Sequence, residues 1–490
     1  MKLNSDNIKL IFGLKLKQAR IAKGWSLAQL AEVTGMSVSY LNEIEKGKKY
    51  PKSEKLVQLS DSLDVPYEKL INLKLDKQLA PVGEILRTNI LNELPLGMFG
   101  IDKGKLVEII ASAPMKVSAF IGTLMQMADH YNLTQENFYF AALRSYQELH
   151  ENYFPELEKQ AESVREEIEP DPSKSLGPEQ LTQILEHRFG YEVDDHELSQ
   201  YPDLSNIRSV FIREAKKILV NDQLADNQKS FLFAKEIGYQ YLDLSGDRAL
   251  MTPWPRATSF DHVLNNSQAS YFAGALLVPF TDLADQLSQF FERKKFSDTA
   301  LIKLMRRYAS SPEMLAVRLT NVTPTHFGLK GLFFLRYDHD DRTGEVNQKK
   351  EMFLSRAQEK NEIDLLNRSC KQWASQTIFL QLQNERKSGN YQGPIASVHR
   401  FTTPSNSKSF VVMSLSRIMK RDQETGLSVM IGFEENAAFK RKVKWADDKA
   451  ISSTRMEFDM KRMDQEEKFN RIRKAMLDLM EKEKNATDVT

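Results

Sequence analysis

The sequence predicts a multidomain protein, all-α to about residue 168 and mixed α and β beyond it. Three observations carry that reading. Apolar residues recur at helical spacing through the first third, β-like runs begin only after residue 205, and an acidic, proline-containing stretch stands between the two regimes. At 490 residues the chain is three to four domains long by the ~150-residue prior.

Composition excludes several classes. Hydrophobic residues make up 41%, charged residues 28%, and the net charge is +1, a globular composition. The longest apolar run, Ala269 to Phe280, is far short of the ~20 residues of a membrane span. With no signal-peptide pattern at the N-terminus, a cytoplasmic protein without membrane contact is expected. The single cysteine, Cys370, excludes disulfide scaffolds and cysteine-rich metal sites, and reads as a small packed side chain. Glycine-rich nucleotide loops and the nucleophile elbow are absent.

The first 74 residues hold 13 Lys/Arg against 8 Asp/Glu. Leu14 to Arg20 is a basic amphipathic helix, and Gly24 lets the chain leave it. Ser26 caps a second helix over 27–33, Gly35 makes a tight turn, and Ser37 begins a third helix that runs to about Lys46. Leu41 and Ile44 would face inward. Two further helices follow, Ser53 to Leu63 and Pro66 to Leu73.

Through Ser26, Leu27, Leu30, Ala31, Gly35, Ser37, Ile44 to Gly47 and Pro51, residues 12–74 resemble the helix-turn-helix of the xenobiotic-response-element (XRE), phage-repressor class. The resemblance implies double-stranded DNA as partner, with the third helix in the major groove. Base-contact candidates are then Ser37, Val38, Ser39, Tyr40, Asn42 and Glu43, and phosphate-contact candidates Arg20, Lys46, Lys48 and Lys49. Short Ser and Val side chains make few bidentate bonds, so shape readout carries part of the specificity.

Residues 75–168 read as a helical connector and dimerisation region, with Ile109, Ile110, Phe120 and Leu124 among its apolar positions. From Pro155 to Asp203 there are 14 acidic and 4 basic residues, giving an acidic linker and domain start at 169–204. His187, His196, Asp194 and Asp195 in that stretch read as a solvated acidic loop rather than a metal site.

Residues 205–280 resemble an ImmA/IrrE-type metallopeptidase domain through Phe231 to Tyr239 and Asn266 to Pro279. Active members carry His-Glu-x-x-His and a later glutamate. Here the matching positions are Lys235, Glu236, Tyr239 and Asn266, so only the general base remains. The expectation is a degenerate domain with no metal and no catalytic residue.

Segments from Ser270 to Phe280, Ser311 to Thr320 and Gly331 to Asp338 resemble the short-chain fatty acyl transcriptional regulators. That family joins the same helix-turn-helix to a degenerate peptidase-like domain and a further C-terminal domain. The cysteine-rich tail of many members is replaced here by a charged helix. The resemblance implies a pocket for acyl-coenzyme A or a related carboxylate, a small-molecule effector and not a cofactor. Arg318 and Arg336, beside apolar runs, are the candidates for its anionic head. Trp254 reads as a loop anchor.

The resulting organisation is an all-α helix-turn-helix DNA-binding domain (1–74), the connector (75–168), the acidic stretch (169–204), an α+β peptidase-like domain (205–330), a C-terminal α/β sensor-like domain (331–450) and a charged helix (451–490). The functional expectation is a non-enzymatic homodimeric transcriptional regulator that senses an acyl metabolite. Its alternatives are a repressor-cleaving metallopeptidase and a phage or toxin–antitoxin type repressor controlled by a protein partner.

Overall fold

The computed structural model describes residues 5–73 and 135–456, apart from short stretches at 170, 205, 245–247, 254–256, 258, 355–359, 405–407 and 420–423. Residues 74–134, which hold most of the connector, the charged helix beyond residue 456 and Trp254 lie outside the described residues. The chain divides into two compact units, Met1–Tyr146 with Pro255–Leu264, and Gln147–Trp254 with Asn265–Thr490.

The first described stretch forms five helices: α1 (Ser5–Ala22), α2 (Leu27–Thr34), α3 (Val38–Glu45), α4 (Ser53–Leu63) and α5 (Tyr67–Ile71). α1 begins nine residues before the basic segment that marks it in the sequence, because Ile11 and Phe12 extend its buried stripe. Ser26 caps α2 reciprocally: its Oγ accepts from the Gln29 amide at 3.2 Å while Gln29 Oε1 accepts from the Ser26 amide at 2.8 Å. Gly35, at φ 62°, ends α2 in the left-handed conformation, and Ser37 Oγ caps α3 by accepting from the Tyr40 amide. Phe12, Leu16, Leu30, Leu41, Ile44, Leu56 and Leu59 close the core. α1 and α3 touch through Gly13, where a Cβ would lie 2.4 Å from the Ile44 carbonyl oxygen.

The second unit holds helix α6 (Gln135–Leu149) only at its last residues. It continues with α7 (Pro155–Ile168), α8 (Pro178–Phe189) and a small sheet of β1 (Glu192–Asp194), β2 (Ser209–Ile212), β3 (Lys217–Val220) and β4 (Met251–Thr252). The strand order is β1-β3-β2-β4, with β1 parallel to β3 and the other pairs antiparallel. The acidic stretch is therefore mostly folded domain rather than linker. Several of its carboxylates are half-buried in ion pairs, such as Asp194 with Lys217 and Asp195 with Lys229, while Leu181 and Leu185 on α8 are fully buried. α9 (Asp226–Tyr241) packs at Gly238 against Phe272 of α10 (Phe260–Leu277), and α11 (Phe280–Phe291), α12 (Asp298–Arg307) and α13 (Pro312–Phe327) follow.

A six-stranded sheet comes next, β5 (Leu332–Asp340), β6 (Glu345–Phe353), β7 (Ile395–Thr402), β8 (Ser409–Ile418), β9 (Thr425–Glu434) and β10 (Ser453–Arg455), in the order β10-β7-β8-β9-β5-β6. Every neighbouring pair is antiparallel except β10 with β7. The expected α/β class is thus corrected to α+β, since α/β folds need parallel strands joined by helical crossovers. Asp340 to Gly344 makes the expected turn between β5 and β6.

The sheet is covered on both faces, which explains its unbroken apolar runs. Leu332, Phe334, Val411, Met413, Val429 and Ile431 face one core, shared with α8 to α13. Phe333, Leu335, Tyr337, Phe410, Val412 and Met430 face the other, against α14 (Lys360–Trp373) and α15 (Phe379–Lys387). The first core runs without a break from Ala161 to Ile451, so the two units expected on either side of residue 330 share one interior. Cys370 is fully buried in the second, and burial pushes its thiol pKa well up. Among the described residues, no helix is long and apolar enough to cross a membrane.

Candidate functional site

In the N-terminal unit, α3 sends Leu41 and Ile44 inward and leaves Ser37, Val38 and Ser39 exposed, with Val38 at 46%. Tyr40, Asn42 and Glu43 are half-buried beside them. Lys46 and Lys48 are exposed. Lys49 reaches back to Glu43 at 2.7 Å, and that hydrogen bond holds its pKa above the usual lysine value. The Tyr40 ring lies under both Lys49 and Lys55, at 5.9 and 5.1 Å from its centroid.

In the second unit, α9 places Lys235, Glu236 and Tyr239 within one helical turn, and Asn266 approaches from α10. Lys235 Nζ donates to Asn266 Oδ1, which also accepts from the Tyr239 hydroxyl at 3.4 Å. Burial, reinforced by repulsion from Arg248, pulls the Lys235 pKa down to about 8. Glu236 faces the other way. Arg248 donates to both its carboxylate oxygens, and Tyr191 donates to Oε1 at 2.7 Å. The pair is buried, 7% and 6% exposed, with the guanidinium between the rings of Phe211 and Tyr239 at 4.4 and 3.9 Å. Burial alone would lower the Arg248 pKa, but its bonds to Glu236 outweigh burial and raise it.

Lys235 and Asn266 also line a cavity of about 570 Å³, within the range of small-ligand sites. Its apolar wall includes Phe231, Met251, Tyr271, Val317, Met352 and Leu427. Its polar wall carries Arg208, Lys235, Arg318, Arg336, Lys350 and Arg417, with Glu313 the one acidic residue among the lining side chains. Arg318 is 1% exposed and donates to both oxygens of Glu158 and to the Val278 carbonyl. Arg336 donates to Glu313 at 2.5 Å and to both oxygens of Asp338, and Lys350 pairs with Glu313 at 2.6 Å.

Residues 16–70 match the helix-turn-helix family model, and residues 192–320 match the IrrE N-terminal-like domain. The chain carries an XRE-type helix-turn-helix domain and an IrrE-like domain. Curated relatives include the HTH-type transcriptional regulator SutR of Escherichia coli, 36% identical over 67 residues, which are 14% of this chain and 38% of SutR. The HTH-type transcriptional regulator SinR of Bacillus licheniformis is 40% identical over 65 residues, 13% of this chain and 59% of SinR. The transcriptional regulator ClgR of Mycobacterium tuberculosis is 34% identical over 59 residues, 12% of this chain and 53% of ClgR. The chain thus spans 38% to 59% of the length of these relatives. Among solved structures, a Mycobacterium tuberculosis transcriptional regulator aligns at 18% identity and a TM-score of 0.42, covering 64% of this chain and 87% of that one. The apo competence regulator ComR of Streptococcus vestibularis aligns at 15% identity and a TM-score of 0.13, over 66% and 88%.

The IrrE-like domain implies zinc, and its residues do not fit the ion. Tetrahedral zinc takes neutral imidazole, thiolate or carboxylate donors. Lys235 brings an ammonium to that place, Tyr239 and Asn266 are spent on each other and on Lys235, and Arg248 binds both oxygens of Glu236. No hydrolytic step follows from this donor set. In the acidic stretch His196 Nε2 lies 3.4 Å from Asp195, and among the described residues no three metal-ligating side chains gather there. Asp194 is held to about pKa 2 by the Glu197 and His196 amides and by Lys217, and Asp195 pairs with Lys229 at 3.0 Å.

The structure corrects three of the expected contacts. Arg20 is 9% exposed, donates to both oxygens of Glu45 and to the Trp25 carbonyl, and so ties α1 to α3 instead of projecting toward phosphate. Arg318 and Arg336 line the cavity, but their donors are engaged by Glu158, Glu313 and Asp338, so both act as struts of its wall. Arg208, Lys350 and Arg417 escaped the sequence reading, because cations scattered just before β2 and on β6 and β8 meet only once both sheets have formed. Lys55, over the Tyr40 ring, was hidden by the loop that separates α3 from α4.

Proposed function

We propose that this protein is a sequence-specific DNA-binding transcriptional regulator whose C-terminal half senses a small acyl metabolite, acyl-coenzyme A or a related carboxylate, and thereby alters operator binding. The observation that carries the DNA half is α3, with its apolar side closed in the core and Ser37, Val38, Ser39 and the Tyr40, Asn42 and Glu43 edge open to solvent. Those residues read base edges in the major groove, and Lys46, Lys48 and Lys49 at the end of α3 hold phosphate. The names of the curated relatives support the same reading. Two half-sites one DNA turn apart call for a homodimer.

The cavity supports the sensing half. A lining that combines apolar side chains with an excess of cations suits an acyl chain joined to an anionic head. An effector that binds one conformation more tightly than another shifts operator affinity by that difference. The test is selection of operators from fragmented genomic DNA by the full chain, with and without a panel of acyl-coenzyme A esters. Enrichment of one palindromic motif, changed by one ester, is the expected result. No enrichment over bulk DNA overturns the DNA half, and enrichment indifferent to every ester overturns the sensing half.

The match to the IrrE N-terminal-like domain favours a second reading, a peptidase that cleaves a repressor. Stoichiometric zinc by elemental analysis, with proteolysis abolished by Glu236→Gln, would establish it in place of the first.

A further inference from the structure

Charge around the cavity does not balance. Glu158 answers Arg318, while Glu313 and Asp338 answer Arg336 and Lys350. Glu313 also attracts Arg208 and Arg417, but neither they nor Lys235 form a carboxylate ion pair among the described residues, and the hydrogen bond of Lys235 goes to the neutral Asn266 amide oxygen, so six cations of the lining share three carboxylates. Glu236, next to Lys235 in sequence, cannot compensate it because Arg248 holds both its oxygens. Arg417 Nε, a buried donor in the cavity lining, also lacks a hydrogen-bond partner among the described residues. Native proteins leave few buried donors orphaned, and an acceptor oxygen of a bound anion would satisfy this one.

We propose that the polar end of this cavity is a binding site for a phosphate-type oxyanion, held by Lys235, Arg208 and Arg417, in which the change at the first metal-ligand position has turned a cation site into an anion site. An excess of three positive charges, six cations against the carboxylates of Glu158, Glu313 and Asp338, sets the class. A single carboxylate would leave two of them unanswered, whereas a phosphate ester or pyrophosphate carries the charge and the acceptor oxygens that two guanidinium forks and an ammonium can fill. The apolar wall then takes the rest of the ligand. This inference rests on the sensing reading of the same cavity, and it assigns the head group to residues other than Arg318 and Arg336. A coenzyme A ester and a small phosphorylated metabolite share that chemistry.

Calorimetry on the full chain separates the cases, with pyrophosphate, acetate and butyryl-coenzyme A as probes. Pyrophosphate is expected to bind at least tenfold more tightly than acetate, and Lys235→Gln and Arg208→Gln are each expected to weaken it at least tenfold. Arg208 is exposed, so its replacement leaves the fold in place. Pyrophosphate binding no tighter than acetate, or equal in the parent and both variants, overturns the proposal. If butyryl-coenzyme A binds no tighter than pyrophosphate while the variants behave as expected, the anion site stands and the acyl reading falls. If butyryl-coenzyme A binds parent and variants alike, the acyl reading stands and the anion site falls.

Discussion

Arg248 holds both carboxylate oxygens of Glu236, in a buried pair that Tyr191 completes and that the rings of Phe211 and Tyr239 enclose. The residue at the general-base position of the peptidase scaffold is thereby a structural anion. Removing one partner of a buried pair strands the other charge, which costs about 3–5 kcal/mol. Arg248→Leu is expected to destabilise the C-terminal unit by that amount in urea denaturation, and a cost below about 1 kcal/mol would show that the pair contributes little.

Arg20 and Lys48 differ in kind although both are cations of the DNA-binding domain. Arg20→Ala breaks the buried link to Glu45 and is expected to cost about 3 kcal/mol of domain stability. Lys48→Ala touches an exposed side chain. It is expected to leave the melting temperature unchanged and to lower the salt slope of DNA binding by about one. Thermal unfolding and salt titrations of operator affinity read both effects, and a reversed pattern would contradict the assignment.

Gly13 is the closest approach of α1 to α3. A Cβ there meets two carbonyl oxygens, those of Ile44 and Glu45, at 2.4 and 2.6 Å, and backbone cannot swing aside as a side chain would. Gly13→Ala is expected to cost at least about 1–3 kcal/mol and to weaken DNA binding in step, because it shifts the recognition helix. Unaltered thermal stability would refute the close approach.

Lys235 gives a pH signature. Its folded pKa of about 8 lies below the ordinary 10.5, since burial and Arg248 disfavour the charged form, with Glu236 opposing and Lys350 adding repulsion. The folded state therefore binds this proton less tightly than the unfolded chain, so the stability penalty is complete below pH 8 and is relieved as pH rises toward 10.5. Anion binding runs the other way, because it needs the ammonium. Affinity for pyrophosphate is expected to fall as pH passes 8 in the parent, and Lys235→Gln is expected to be weak and flat over the same range. A parent profile flat from pH 7 to 9 contradicts Lys235 as an anion ligand.

The N-terminal domain was legible because its signals are local. Ser26, Gly35 and Ser37 are caps and turns whose partners lie within three residues, and Leu41 and Ile44 mark the buried side of α3 by spacing alone. The degenerate motif was legible for the same reason, Lys235, Glu236 and Tyr239 being one helical turn apart. What escaped is non-local. Arg20 reads as a surface cation until Glu45, twenty-five residues away, is seen beside it, and Arg318 finds Glu158 at a separation of 160. Sheet direction was hidden as well. Phe333 and Phe334 point to opposite cores, so β5 shows no alternation, and the antiparallel pairing cannot be told from a buried parallel strand by pattern.

The most direct test of the account is the affinity of the active acyl-coenzyme A ester for the full chain, measured with and without its selected operator. Linkage requires that an effector which alters operator binding be altered by the operator to the same factor. A difference of about fivefold or more, equal to the shift the ester produces in operator affinity, is the predicted result. Equal ester affinity in the presence and absence of operator contradicts the central claim that the C-terminal half controls the helix-turn-helix through a bound acyl metabolite.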